Sequence, residues 1–229
     1  MADPALAIPK PSLLHLQRRR EFLLRTYGHL LGGIVAFVAL EMVYFTTGLA
    51  ETIAGALLSV NWLLVLGAFI LVAWMARGFA GSAESRSLQY AGLAGYVVAE
   101  SIIFVPLLWV ADATAPGAIA SAATLTILAF VGLTTLVFVS GADFSFLRGL
   151  IWWGGIVALV AIVGAVLFGV GLGMWFSVAM IGFALAAILY DTSRTLHDFP
   201  DDRYVSASIE LLSSIALLFW YAVSLFTSR

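Results

Sequence analysis

The chain has no cysteine, so disulfides, thiolate chemistry and iron–sulfur ligation are excluded. Lysine occurs once, at Lys10, and no apolar segment therefore holds the amine that a retinal Schiff base requires. The three histidines, His15, His29 and His197, are far apart in sequence, and no metal site is expected from them. Phosphate-binding Gly-Lys loops, His-Glu-x-x-His pairs and GxSxG elbows are missing too. Neither an enzymatic activity, nor a tightly held cofactor, nor a nucleic-acid partner is expected. Charge itself is scarce: Asp, Glu, Lys and Arg make up 10% of the 229 residues, against 62% hydrophobic. No water-facing surface of ordinary composition can be assembled from such material.

What the chain does have is apolar length. Mean hydropathy is +1.06, and apolar runs can be marked at 28–50, 61–80, 88–111, 119–140, 149–168, 172–190 and 205–227. Each is close to the ~20 residues that carry a helix across a ~30 Å hydrocarbon core. A membrane barrel would show ~10-residue alternating segments instead. The expected fold is an all-α membrane protein with seven transmembrane helices. Six spans plus a re-entrant segment is the alternative, because Gly169, Gly171 and Gly173 make one gap very short and Arg77 interrupts the second run.

The basic residues set an orientation. Lys10, Arg18, Arg19, Arg20 and Arg25 precede the first span, Arg77 and Arg86 follow the second, Arg148 the fourth, and Arg194 and Arg203 the sixth. Positive loops stay cytoplasmic, which predicts a cytoplasmic amino terminus and an external carboxyl terminus. Residues 1–24, with Pro4, Pro9 and Pro11 before the basic cluster, read as a flexible basic cytosolic arm, followed by one membrane domain over 25–229. The lipid bilayer is the first expected partner. Abundant Ala and Gly and the preference for Arg over Lys suggest a bacterial cytoplasmic (inner) membrane.

Five charges lie in or at the edge of apolar runs: Glu41, Arg77, Glu100, Asp191 and Glu210. A charge near the bilayer centre costs at least ~2.5–3.5 kcal/mol, so such residues face the bundle interior and find partners. Glu41, about two turns from the outer end of its helix, is the weakest functional candidate of the five, and Glu100 belongs to an intramembrane polar network. Asp191 and Glu210 fall at similar depth on the sixth and seventh spans, with Arg77 at the same end. Two carboxylates and a guanidinium there make a pH-sensitive gate, since like charges favour holding a proton and Arg opposes it. Ser213 and Ser214 extend a polar line from Glu210. Gly92, Gly95, Gly154, Gly155 and Gly164 are expected to permit close helix contacts.

Two blocks carry a resemblance. The run 134–149, TTLVFVSGADFSFLRG, and the sixth-span end Leu189-Tyr190-Asp191-Thr192, followed by Tyr204-Val205, are similar to the transmembrane Bax inhibitor motif (Bax inhibitor-1-like) family. Arg25-Thr26-Tyr27, Ala76-Arg77 and Glu100 agree in order. The resemblance implies six helices wrapped around a central carboxyl-terminal helix and, in bacterial members, a pH-dependent calcium leak. It implies that Asp191 and Arg77 take the family's gating positions, while Ser214 stands where the family has its seventh-helix aspartate. Glu210, one turn away on the same face, is the candidate replacement. Bound calcium would be weak, because the ion prefers six to eight oxygen ligands and the spans offer few carboxylates. The acidic connection His197, Asp198, Asp201 and Asp202 could attract cations at the mouth. The missing aspartate also opens an alternative: members lacking it resemble modulators or substrates of a membrane-bound AAA protease, recognised through the amino-terminal tail.

Overall fold

The computed structural model describes residues 13–82 and 85–228. Eight helices are found there: α1 Leu13–Thr47, α2 Leu49–Leu58, α3 Trp62–Ala80, α4 Arg86–Thr114, α5 Ala118–Ser140, α6 Leu147–Phe168, α7 Gly173–His197 and α8 Tyr204–Thr227. Seven are long and apolar enough to cross a membrane, all but α2. The described part of the chain is a multi-pass helical protein with the expected number of spans. It includes the segment after Gly169, which is a full-length helix rather than a re-entrant turn.

One sequence expectation is revised. Residues 13–24 are not free arm but the start of α1, and their contacts explain why: Phe22 is buried against Phe199, with ring centroids 6.4 Å apart. Residues 1–12 lie outside the described residues. The stretch after the first span carries a further helix. Gly48 takes φ 78, a conformation open to glycine and strained for other residues, so the chain turns sharply and restarts as α2. Ala50 and Ala54 bury one face of α2 against Val105 of α4.

Of the glycines expected at helix contacts, only some serve there. A Cβ on Gly92 would lie 2.5 Å from the Ala76 carbonyl oxygen and 2.7 Å from the Ala80 nitrogen, and one on Gly154 would meet the Phe183 ring at 2.7 Å. Gly155 has only ordinary contact with that ring, and Gly95 and Gly164 have nothing within 4 Å. The α3–α4 contact is thus backbone on backbone, with Ala73, Ala76 and Ala80 buried along α3. Helix α8 packs against α1, α3, α4, α5 and α7, whereas α2 covers α4 and α6 rests on α7.

Candidate functional site

Helices α7 and α8 run antiparallel, so a residue one turn back on α7 faces one a turn further along α8. That register pairs Asp191 with Ser214, whose hydroxyl donates to Oδ2 at 2.5 Å. One turn nearer the basic end, Arg194 Nη1 donates to Glu210 Oε2 at 2.7 Å. Asp191 and Arg194 are i, i+3 on α7, and Glu210 and Ser214 are i, i+4 on α8, which places each pair on one helix face. From α3, Arg77 Nη2 donates to Ser213 at 2.7 Å while its guanidinium lies 5.5 Å from the Tyr96 ring centroid.

The four residues singled out as the gate do converge, but not as a carboxylate pair bridged by Arg77. Asp191 holds a serine and Glu210 holds Arg194, although Glu210 and Arg77 remain within electrostatic range of Asp191. Arg194 is the residue that sequence reasoning missed. In sequence it reads as a topology charge, and the signal that marks it out is its i, i+3 spacing from Asp191.

A second missed residue is Arg19. Its Nη2 donates to the Thr195 carbonyl at 2.6 Å, Nε to Leu196 at 3.1 Å, and Nη1 to the Phe199 carbonyl at 2.6 Å and Asp201 Oδ1 at 3.0 Å. The last carbonyls of a helix have no partners within it and form its negative end. Arg19 therefore caps the end of α7 from α1. This contact ties Asp201, expected to attract cations, into an ion pair. Arg194 lies over the opposing aromatic, 4.6 Å from the Phe199 centroid, so the cap and the Glu210 pair share one support.

The two sequence blocks also meet. Phe144 N donates to Ser193 Oγ at 2.9 Å, which docks the α5–α6 connection on α7 two residues from Asp191. Within that connection Asp143 accepts from the Ser145 backbone N–H at 2.8 Å and its hydroxyl at 3.1 Å. These bonds hold the Asp143 carboxyl below its usual range. A carboxylate stabilised in this way adds to folding above its unfolded value and ceases to as pH falls through the lowered one. Tyr27 of α1 lies near Thr134 and Thr192, so a third block shares the same neighbourhood, although none of the three hydroxyls makes a hydrogen bond among the described residues.

Beside the ladder lies a cavity of about 890 Å³ between α3, α4, α6, α7 and α8. Arg77, Tyr96, Glu100, Ser213 and Ser214 line it nearer the basic end, and Trp62, Trp220 and the Gly169–Leu172 turn nearer the other. Glu100 is 7% exposed, and its Oε2 has no hydrogen-bond partner among the described residues. The cavity is mostly apolar with polar groups gathered at one end. Among the described residues no cluster of three or more His, Asp and Glu side chains could hold a metal ion.

Glu41, ranked lowest from sequence, is 8% exposed, and neither carboxylate oxygen has a hydrogen-bond partner among the described residues. Its helix continues through Thr47, and α2 packs against that helix and α4. An unpartnered buried carboxyl opposes folding. Glu41→Leu is expected to stabilise the protein by about 1–3 kcal/mol, read as a higher midpoint in thermal unfolding in detergent.

A multi-pass helical membrane protein with an ionisable ladder between its last two helices is the class that fold and site define. The chain belongs to the Bax inhibitor-1-like family: the family model described as "Inhibitor of apoptosis-promoting Bax1" matches residues 19–229. It is also 37% identical over 109 residues to an uncharacterized protein of Pseudomonas aeruginosa, a match covering 47% of this chain and 49% of that protein. The matched segment spans about half the length of that relative. No solved structure matches the chain.

Proposed function

We propose that the protein is a slow, pH-sensitive calcium or cation leak of a bacterial inner membrane, with its amino terminus cytoplasmic, its carboxyl terminus outside and α8 as the central helix. The observation that carries this reading is the placement of the ladder. The cavity runs alongside α8 and is lined by Arg77, Ser213 and Ser214, through which the Arg77–Ser213 and Asp191–Ser214 bonds border it, with Glu210–Arg194 one turn further on. Charge change at Asp191 or Glu210 loosens a rung. Glu210 serves as the second gating carboxylate in place of the family's aspartate, acting through Arg194 rather than by facing Asp191 directly. Calcium passes partly hydrated, which suits a cavity whose lining holds one carboxylate, Glu100.

The test is calcium flux into liposomes holding the purified protein across pH ~5–8, a range chosen to span shifted carboxyl groups. Wild type should show a pH-dependent flux, altered in its pH profile by both Asp191→Asn and Glu210→Gln. Flux no greater than in empty liposomes at every pH, from folded protein, would remove the leak. An effect of Asp191→Asn alone would remove Glu210 from the gate.

A second reading, as modulator or substrate of a membrane-bound AAA protease, is favoured by Arg19. Its cap on α7 connects the amino-terminal segment to the helix that carries Asp191 and Arg194. A pull on that segment would reach the ladder first. Loss of protease association on deleting residues 1–12, with flux unchanged, would support it.

A further inference from the structure

On the face of the bundle away from the ladder, α1 and α4 flank a groove of about 740 Å³. Its floor on α1 includes Gly28, Gly32 and Ala36, and its α4 wall includes Ala94 and Val98. A Cβ on Gly28 or Gly32 would meet nothing within 4 Å, whereas one on neighbouring Gly33 would lie 3.2 Å from Leu212 of α8. Gly33 is small because α8 is there. Gly28 and Gly32 are small with none of the described residues opposite them, and the groove stays open along a helix long and apolar enough to cross the membrane.

One end of the groove differs from the rest. Arg25, His29 and Tyr90 line it, and Tyr204 completes the group, with the His29 ring 5.5 Å from Tyr90 and 5.0 Å from Tyr204. Arg86 lies within electrostatic range of Tyr90. Glu21 pairs with Arg25 from one turn nearer the helix start, yet the Arg25 side chain keeps 45% of its surface exposed. Counting ~20 residues back from Thr47 reaches this level, so the basic and aromatic group sits at headgroup depth, where Tyr is favoured. From Arg25 to Ala36 the helix rises about 16 Å, close to half of a ~30 Å hydrocarbon core. The groove thus offers one leaflet's depth of apolar wall below a cationic mouth.

We infer that the α1–α4 groove is a binding site for an anionic phospholipid of the leaflet at the basic end. Its acyl chains lie over Gly28, Gly32 and Ala36, and its phosphate meets Arg25 and His29. Basic pockets between transmembrane helices recognise such headgroups. The apolar groove holds any lipid, and the mouth selects the negative one.

The test uses the full chain purified in mild detergent and exchanged into micelles doped with phosphatidylglycerol or phosphatidylcholine. Bound lipid is counted by native mass spectrometry, and chain copy number is read from the same spectra. Wild type should retain phosphatidylglycerol over phosphatidylcholine by about fivefold for each basic side chain engaged. Arg25→Gln should cut that preference about fivefold while leaving phosphatidylcholine retention unchanged. Gly32→Leu, which fills the groove, should lower retention of both. Circular dichroism and a monodisperse elution profile establish that each variant is folded, and Gly28→Leu, which fills the same groove one turn away, gives the second reading if Gly32→Leu misfolds. Equal retention of the two lipids by wild type, or unchanged retention in both filled-groove variants, would overturn the site. Dimers in wild type that both filled-groove variants abolish would assign the groove to a second copy instead, and overturn it equally.

Discussion

Gly92→Ala is expected to destabilise the protein by at least about 3 kcal/mol, the upper part of the range for overpacking, and Gly92→Val to leave no folded protein. The atoms in the way are the Ala76 carbonyl oxygen and the Ala80 nitrogen, at 2.5 and 2.7 Å from the added carbon. Neither can swing aside as a side-chain tip would, so α3 has to move from α4. Arg77 follows Ala76 and stands over Tyr96, one turn beyond Gly92, and the movement would carry its bond to Ser213 with it. Gly95 is the control. Nothing approaches its Cβ, and Gly95→Ala should be neutral or stabilise by up to about 1 kcal/mol, because alanine restricts the unfolded chain and favours the helix. Thermal unfolding and elution profile in detergent separate the two. Equal behaviour of Gly92→Ala and Gly95→Ala would remove the close α3–α4 contact.

Arg19→Ala is expected to cost about 2–4 kcal/mol, from several hydrogen bonds of about 1.5–3 kcal/mol each to a charged group, partly regained by water. The side chain is 17% exposed, and its fork spans three carbonyls and a carboxylate. Lysine keeps the charge but not the planar fork, so Arg19→Lys should recover less than half of the loss. Neighbouring Arg18 and Arg20 are exposed, and their alanine variants should fall within about 0.5 kcal/mol of wild type. If all three substitutions behave alike, the cluster acts only as a topology signal and the α7 cap does not contribute. Amide exchange in the last turn of α7 gives an independent reading, since loss of the cap should speed it locally.

Much of the architecture was legible because lipid leaves the backbone few options. A segment that cannot bond to water must close its hydrogen bonds internally, and a run of about 20 apolar residues therefore has one outcome. The break at Gly48 was less legible. Glycine in a membrane segment usually signals packing, as at Gly92, and only the positive φ reveals a turn. Gly92 and Gly95 look alike in sequence for the same reason: what distinguishes them is the neighbour, α3 for one and open space for the other.

By itself the sequence determined that the protein lives in a membrane, how many helices are long and apolar enough to cross it, and which few charges lie among them. These follow from transfer energies that each residue carries wherever it sits. The tertiary structure alone decided the partners: Arg194 rather than Arg77 for Glu210, a serine for Asp191, none among the described residues for Glu41, and Arg19 for the end of α7. Such choices depend on helix register and on contacts as far as 182 residues apart along the chain, set by how the helices pack together and not by any local pattern.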